Sequence, residues 1–390
     1  MRLWGCHMSN RVPHRVVKQA VHILGDGCAG MSLAAKADEL PRHRLTMVIP
    51  NGAPEQRDHI WGFWKLAGLE KAVSLARHKW HRLRVITPSG STLLRCDQHP
   101  YHALHRKQWQ SDCRKRAKAH GVSFIKQDKL RDDPNAQVLD SRPPPIPDGQ
   151  MVQHFIGWEI AAPKGSFDPE TAILMDFRCD QSRGIHFMYV LPFSDRRALV
   201  ESTMFAPQRE PDTFFETAMM TYIEQYHHIN NYEIERFERG AIPLGRLPRG
   251  VGPHIGIGGN GEAIRPSSGY AFAFIQKQIA AAINNASAIG RTTERAGPLV
   301  IRRPHKDVDL WMDKVFVMVL RHWPTTAPML FLRMARALSG DEFALFLSGE
   351  AGWLLRLKVI IAMPKWIFLK ALFRIFLGLK SDTGRLDNVA

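Results

Sequence analysis

Two carboxylates and one glycine turn carry the residue types and spacing from which chemistry can be built. Glu201 closes the run Ala198-Leu199-Val200, and Asp176 follows Ala172-Ile173-Leu174-Met175. Burial among apolar residues raises a carboxyl pKa, so such a group stays protonated near neutral pH and serves as an acid or a base. Each also fits a plainer role: Glu201 as a surface glutamate at a strand end, Asp176 as a turn or capping carboxylate. Gly25-Asp26-Gly27-Cys28-Ala29-Gly30 follows the apolar run Ala20-Val21-His22-Ile23-Leu24 and precedes Met31-Ser32-Leu33-Ala34-Ala35. Gly25, Gly27 and Gly30 let a strand turn tightly into a helix. A dinucleotide diphosphate can then lie against the helix's first N–H groups.

These groups need elements to hold them. Residues 16–50 read as strand, helix, strand. The second strand, Leu45-Thr46-Met47-Val48-Ile49, runs into Pro50. An acidic residue that binds a ribose is expected about 20 residues past such a motif, and proline has no acceptor side chain. Glu55, Asp58 or the backbone of Asn51 are the substitutes, or the ribose is held loosely. Residues 83–87 and 92–95 flank Pro88-Ser89-Gly90-Ser91, a hairpin signal. Residues 105–120 read as a basic helix, and short strands follow at 122–125 and 136–140. Arg142-Pro143-Pro144-Pro145 forces an extended linker. Alternation over 153–205 predicts strands. Helices are expected over 212–228 and 270–284, on either side of a glycine-rich stretch at 250–261, and from 310 to about 379.

The expected division is a basic disordered lead at 1–15 and a nucleotide-binding subdomain at 16–150. A sheet-based substrate subdomain follows at 151–245, then a return to the nucleotide-binding part at 246–300. A helical C-terminal region occupies 301–390.

With 390 residues, 45% of them hydrophobic and 23% charged, the chain has the composition of a folded protein. A net charge of +16 suits an anionic partner: a phosphorylated cofactor, an acidic membrane surface or nucleic acid. No helix-turn-helix, zinc-finger or RNP pattern supports nucleic acid. Cys6, Cys28, Cys96, Cys113 and Cys179 are dispersed, odd in number and without a CxxC pair. They read as reduced thiols in a cytoplasmic protein, with no metal site. No stretch of 18 residues is free of charge, so no spanning helix is expected. From 351 to 380 there is no acidic residue, and Arg356, Lys358, Lys365, Lys370, Arg374 and Lys380 punctuate Leu, Ile, Phe and Trp. That pattern fits a helix lying on anionic lipid, or one packed on the core with its basic face in water.

Taken in order, several segments resemble the lycopene cyclases, the flavoproteins that close the ends of linear carotenes. They are Gly25–Gly30; Asp58-His59-Ile60-Trp61-Gly62-Phe63; Arg106-Lys107; Val138-Leu139-Asp140-Ser141-Arg142; and Met175-Asp176. Further on come Tyr189-Val190-Leu191-Pro192; Leu199-Val200-Glu201-Ser202-Thr203; Gly240-Ala241-Ile242-Pro243-Leu244; and Arg265-Pro266-Ser267-Ser268-Gly269-Tyr270. The chain departs from the family at Pro50, at Ser202 where a second acid is frequent, at Arg265 for histidine and at Pro143 for glycine.

The resemblance implies an α/β protein with a Rossmann-like FAD-binding (glutathione-reductase-like) fold. It also implies a reaction without net oxidation: a proton adds to a terminal double bond, the cation closes a ring, and a different proton leaves. The isomerase would act on lycopene or a related acyclic carotenoid at a membrane surface. FAD would work in its reduced form, with NADPH as external reductant. Glu201 falls on the family's essential glutamate, and Asp176 is a second catalytic candidate. Gly25, Gly27, Gly30, Arg106, Asp140, Gly258, Gly259, Ser267, Ser268 and Gly269 would hold the cofactor. Trp61, Phe63 and Tyr270 would meet the substrate. The rival readings are a flavin monooxygenase or reductase acting on a lipophilic substrate, and a basic binding module that merely keeps the fold.

Overall fold

The structure, a computed structural model, describes residues 18–52, 58–143, 145–247, 254–292 and 296–378. The expected lead at 1–15, Cys6, Glu55 and Lys380 lie outside the described residues.

The glycine turn sits as its spacing predicts. Strand Gln19–Leu24 leads through it into helix Cys28–Ala34 and then strand His43–Ile49. These two strands are central in a parallel sheet ordered Ile255–Gly256, Gln137–Asp140, Gln19–Leu24, His43–Ile49, Ser123–Lys126. Val21, Ile23 and Met47 are fully buried, as expected where helices cover a parallel sheet. Helix Arg106–Ala119 packs against helix Cys28–Ala34, and Trp109 donates its indole N–H to Ser32 at 2.9 Å.

The second sheet has seven strands, ordered Glu233–Pro243, Val152–Ala161, Arg197–Ala206, Ile185–Pro192, Thr171–Asp176, Arg82–Thr87, Gly90–Arg95. The hairpin read at residues 83–95 forms and adds two strands to this sheet, although it lies within the first 150 residues. A small third sheet pairs Ile60–Trp64 with Tyr101–His105, and Tyr101–His105 with His78–Trp80. Helix Asp212–His227 covers one face of the seven-stranded sheet, around Met188, Val200 and Tyr222. The C-terminal helices cover the other, around Leu199, Phe187 and Phe331. Side chains alternate across a strand, so Glu201 faces the C-terminal helices, and Ser202 the opposite layer.

The acid-free stretch expected as one helix is two, Trp353–Ala362 and Lys365–Phe376. Pro364 separates them: it has no N–H to donate, and it holds Met363 extended at ψ 146°. Arg356, expected on a basic outer face, is instead buried and pairs with Asp309 at 2.8 Å. One turn along the same helix, Asp313 pairs with buried Arg265 at 3.2 Å and accepts the Ser267 hydroxyl at 2.7 Å. The family departure at Arg265 is thus a structural ion pair. Among the described residues no single helix is long and apolar enough to cross a membrane.

Candidate active site

A cavity of about 390 Å³ lies between the two large sheets and the C-terminal helices. It runs from Cys28, in the glycine turn, to Glu201, and its walls are mostly aromatic and aliphatic. Trp61, Ser267, Ser268, Gly269 and Tyr270 line it, as the sequence predicts. Phe63 does not. It is buried in the core against Phe272 and His102, because Gly62 rather than Phe63 takes the cavity-facing place between Trp61 and the tyrosines.

At the Glu201 end, three strands bring together a pair the sequence did not suggest. Gly157 lies opposite Glu201 on one side and opposite Glu238 on the other. A Cβ on Gly157 would stand 3.1 Å from Glu238 Cγ and 3.4 Å from Glu201 Cβ, so glycine is what lets the two carboxyl groups meet over its strand. The two carboxyl groups come near enough to share a proton. Thr203 donates its hydroxyl to Glu201 Oε1 at 2.6 Å, and Ile60 donates its N–H to Glu238 Oε2 at 2.9 Å. Burial pushes Glu201 up to about 7, and burial together with the Glu201 charge pushes Glu238 up well above the carboxylate range. Two carboxylates this close cannot both ionise cheaply, so the pair keeps a proton near neutral pH.

Three phenols stand beside the pair. Tyr189 is opposite Glu201 across the strands, Tyr101 and Tyr189 share a hydroxyl hydrogen bond at 3.0 Å, and Tyr270 lies beside Tyr101. All three are raised well above their ordinary pKa by burial, so they stay neutral. Gly62 makes room for them, since a Cβ there would overlap the Tyr101 ring and hydroxyl.

Asp176 is not part of this site. A register shift between Ile173 and Asp176 interrupts the alternation. Leu174 and Met175 both line the cavity, and Asp176 turns to the other layer. There it is fully buried, is clasped by the Arg178 guanidinium (2.6 to 3.2 Å), accepts the Arg178 backbone N–H at 3.1 Å and accepts the Tyr222 hydroxyl at 2.8 Å. Ser202 bonds to His186 Nε2 at 2.8 Å in that same layer.

At the other end, the glycine turn fits a diphosphate. Gly25 adopts φ +90°, and a Cβ on Gly30 would overlap the Gly25 carbonyl and crowd Ser141 Oγ at 2.8 Å. Gly27 has nothing within 4 Å of the place a Cβ would take, so that side of the turn is open. Arg106 Nε is buried with no partner among the described residues, and the Ser268 hydroxyl is likewise orphaned at the cavity wall. Gln153, which the sequence reading missed, presents a third orphaned atom, Oε1, at the same wall. Buried polar atoms are nearly always bonded. Two of these line the cavity and the third opens the helix beside the turn, which suits a polar, anionic cofactor.

Other predicted cofactor contacts are otherwise engaged. The Asp140 carboxylate is held by Arg142 at 2.7 and 2.9 Å, which lowers its pKa against burial. The Ser267 hydroxyl goes to Asp313. Asp58, a suggested substitute for the acid missing at Pro50, binds Arg236 at 2.6 Å and the Lys107 N–H at 2.9 Å. Gly258, at φ +69°, starts the short turn Gly258–Gly261 that contains Gly259, and packs so closely on Ala29 that a Cβ would overlap it.

A family model described as Lycopene cyclase protein matches residues 20–371. The lycopene beta cyclase, chloroplastic, of Arabidopsis thaliana is 25% identical over 260 residues, covering 55% of this chain and 49% of that protein. A lycopene beta-cyclase of Pseudescherichia vulneris is 33% identical over 99 residues, 24% of each. The chain thus spans about half, or less, of the length of these relatives. Among solved structures, a geranylgeranyl bacteriochlorophyll reductase-like protein of Thermoplasma acidophilum superposes with a TM-score of 0.60 at 12% identity, covering 91% of this chain and 99% of that one. A tryptophan 6-halogenase of Streptomyces toxytricini gives 0.53 at 11%, covering 92% and 97%. CtdE in complex with FAD gives 0.50 at 10%, covering 93% and 98%. At such identities the likeness is one of fold: the Rossmann-like α/β fold with a sheet-based second part and a helical C-terminal part.

Proposed function

Because the chain belongs to the lycopene cyclase family, we propose that it cyclises the ends of an acyclic carotene without net redox change. The observation that carries this reading is the buried pair Glu201–Glu238, of which Glu201 lines an aromatic cavity. Glu201 gives a proton to the terminal double bond, the resulting cation closes a six-membered ring, and the pair takes back a different proton. The π faces of Trp61, Tyr101, Tyr189 and Tyr270 stabilise the cation as it forms. Apolar walls keep out water that would capture it. The cavity volume suits an end of a polyene rather than its whole length.

FAD fits the other end of the same cavity, with the open side of Gly27, Arg106 and Ser268 as its holders. In its reduced form, with NADPH as external reductant, the cofactor would supply negative charge that stabilises a cation. Residues 16–150 and 246–300 hold the cofactor and also give the cavity Trp61, Tyr101 and Tyr270, while 151–245 supplies the carboxyl pair and Tyr189. Anaerobic incubation with lycopene and chemically reduced FAD is expected to give a cyclic carotene without NADPH consumption. An oxygenated or reduced product formed in step with NADPH would overturn the reading in favour of a monooxygenase or reductase.

The membrane surface belongs to the same proposal, since carotenes dissolve in bilayers. Trp353 (71% exposed), Leu354 (81%), Trp366 (68%), Phe373 (62%) and Phe376 (88%) form an apolar face on the last two helices. Patches of this kind mark interaction sites. The basic residues are less free than their spacing suggests: Lys365 bonds to the carbonyl of Ile361 at 2.8 Å, and Lys370 sits 5.4 Å from the Trp366 ring centroid. Insertion therefore rests on the aromatic side chains more than on charge. A Trp366→Ser, Phe373→Ser, Phe376→Ser variant is expected to lose vesicle binding by about a thousandfold or more, at roughly 1.5–3 kcal/mol per large side chain buried. Equal co-sedimentation of the variant and the native protein with anionic vesicles would overturn it.

A further inference from the structure

The pair must hold a proton at the start of each turnover, and Glu201 lines a cavity that substrate fills. On the cavity side its neighbours are Tyr101, Tyr189 and Tyr270, neutral phenols, and the Thr203 hydroxyl. On the far side the surroundings change. A small second cavity begins at Glu238 and is lined by Asp58, His105, Glu159 and Arg236. Their side chains form a connected set. Asp58 Oδ2 lies 3.3 Å from His105 Nδ1 and 2.6 Å from Arg236. Arg77 reaches His105 Nε2 at 3.1 Å and clasps Glu159 at 2.6 and 2.9 Å. The outer end is wet, since the Arg236 side chain is 43% exposed.

We propose that Glu238 and the Asp58–His105–Arg236 cluster behind it form the path by which Glu201 exchanges its proton with solvent. The use of this path in catalysis rests on the cyclase reading; the path itself does not. In the cycle one C–H bond forms at the chain terminus with the proton of the pair, and one C–H bond of the new ring breaks, returning a proton to the pair. No electrons change hands. Between turnovers Glu238 exchanges a proton with Glu201 on one side and, through the second cavity, with solvent on the other, so a turnover takes up no net proton; the size of that cavity admits a single bridging water. His105 is held mainly neutral there, because burial and the Arg236 and Arg77 charges outweigh Asp58. A neutral imidazole can both accept and release a proton. Glu238 is here a positioning and relay residue; Glu201 is the group that meets substrate.

The test uses the flavin-loaded protein without carotene, so it stands or falls apart from the cyclase assay. The infrared band of the buried protonated carboxyl is followed after transfer into D2O, against backbone amide exchange in the same sheet as internal standard. In Asp58→Asn, His105→Gln the ratio of carboxyl to amide exchange is expected to fall by about tenfold or more. Glu238→Gln is the second variant. Its amide oxygen still accepts from Ile60, and the remaining Glu201 band is expected to slow likewise. Unchanged ratios in both variants would overturn the proposal, whatever their melting temperatures.

Discussion

Glu201→Gln is expected to lower carotene cyclisation by roughly 10²–10⁴-fold, the usual range for losing a positioned acid–base group. The substitution keeps the size of the side chain and an acceptor for the Thr203 hydroxyl, which lies 2.6 Å from Glu201 Oε1. It removes the proton that the terminal double bond must receive. Flavin content and melting temperature should stay near those of the native protein, because the residue sits at the far end of the cavity from the glycine turn. In the native protein activity should fall as pH rises past about 7, where Glu201 gives up its proton. Undiminished cyclisation by a flavin-loaded Glu201→Gln protein would remove the residue from the mechanism.

Gly27→Val is expected to leave a folded protein that does not hold FAD. The backbone at Gly27 has φ −71° and ψ −169°, which valine tolerates. No heavy atom lies within 4 Å of the added Cβ, so the apoprotein has no clash to relieve. The volume it fills is the open side of the turn, where a diphosphate must come against the backbone. A loss of about a hundredfold or more in FAD affinity, ~2.7 kcal/mol, should show as colourless purified protein with the melting temperature of native apoprotein. Gly30 makes the contrast: a side chain there meets the Gly25 carbonyl and Ser141 and disturbs the turn itself. A fully flavinylated Gly27→Val protein would place the cofactor elsewhere.

What was legible in the sequence is what local pattern decides. The strand–glycine–helix–strand unit, the hairpin over residues 82–95 and the basic helix Arg106–Ala119 each follow from periodicity and turn residues within a short window. The break between the last two helices was overlooked although Met363-Pro364 signals it, since a residue before proline is held out of the helical region. Asp176 misled because a one-residue register shift, invisible in an apolar run, reverses which face a strand presents. Arg356 misled because its partner Asp309 is 47 residues away. Glu238 was missed for a related reason. It lies in Glu233-Ile234-Glu235-Arg236-Phe237-Glu238-Arg239, which reads as a charged edge strand. Only pairing with Gly157, far off in the chain, puts it beside Glu201. The signal that would have found it is a glycine inside an otherwise regular strand, which marks close approach of something to that backbone.

The row Glu201–Gly157–Glu238 makes folding itself a proton-consuming step. In the unfolded chain the two glutamates are far apart and titrate near 4.5. At neutral pH each is then ionised, whereas the native pair keeps a proton. Between about 4.5 and 7 the folded state binds more protons than the unfolded one, so at this row stability declines as pH rises. Above that window Glu201 ionises in both states and its share of the decline levels off, while Glu238, raised further, extends it. The fold therefore gives up some stability at neutral pH to hold an acid that no local stretch of this sequence possesses.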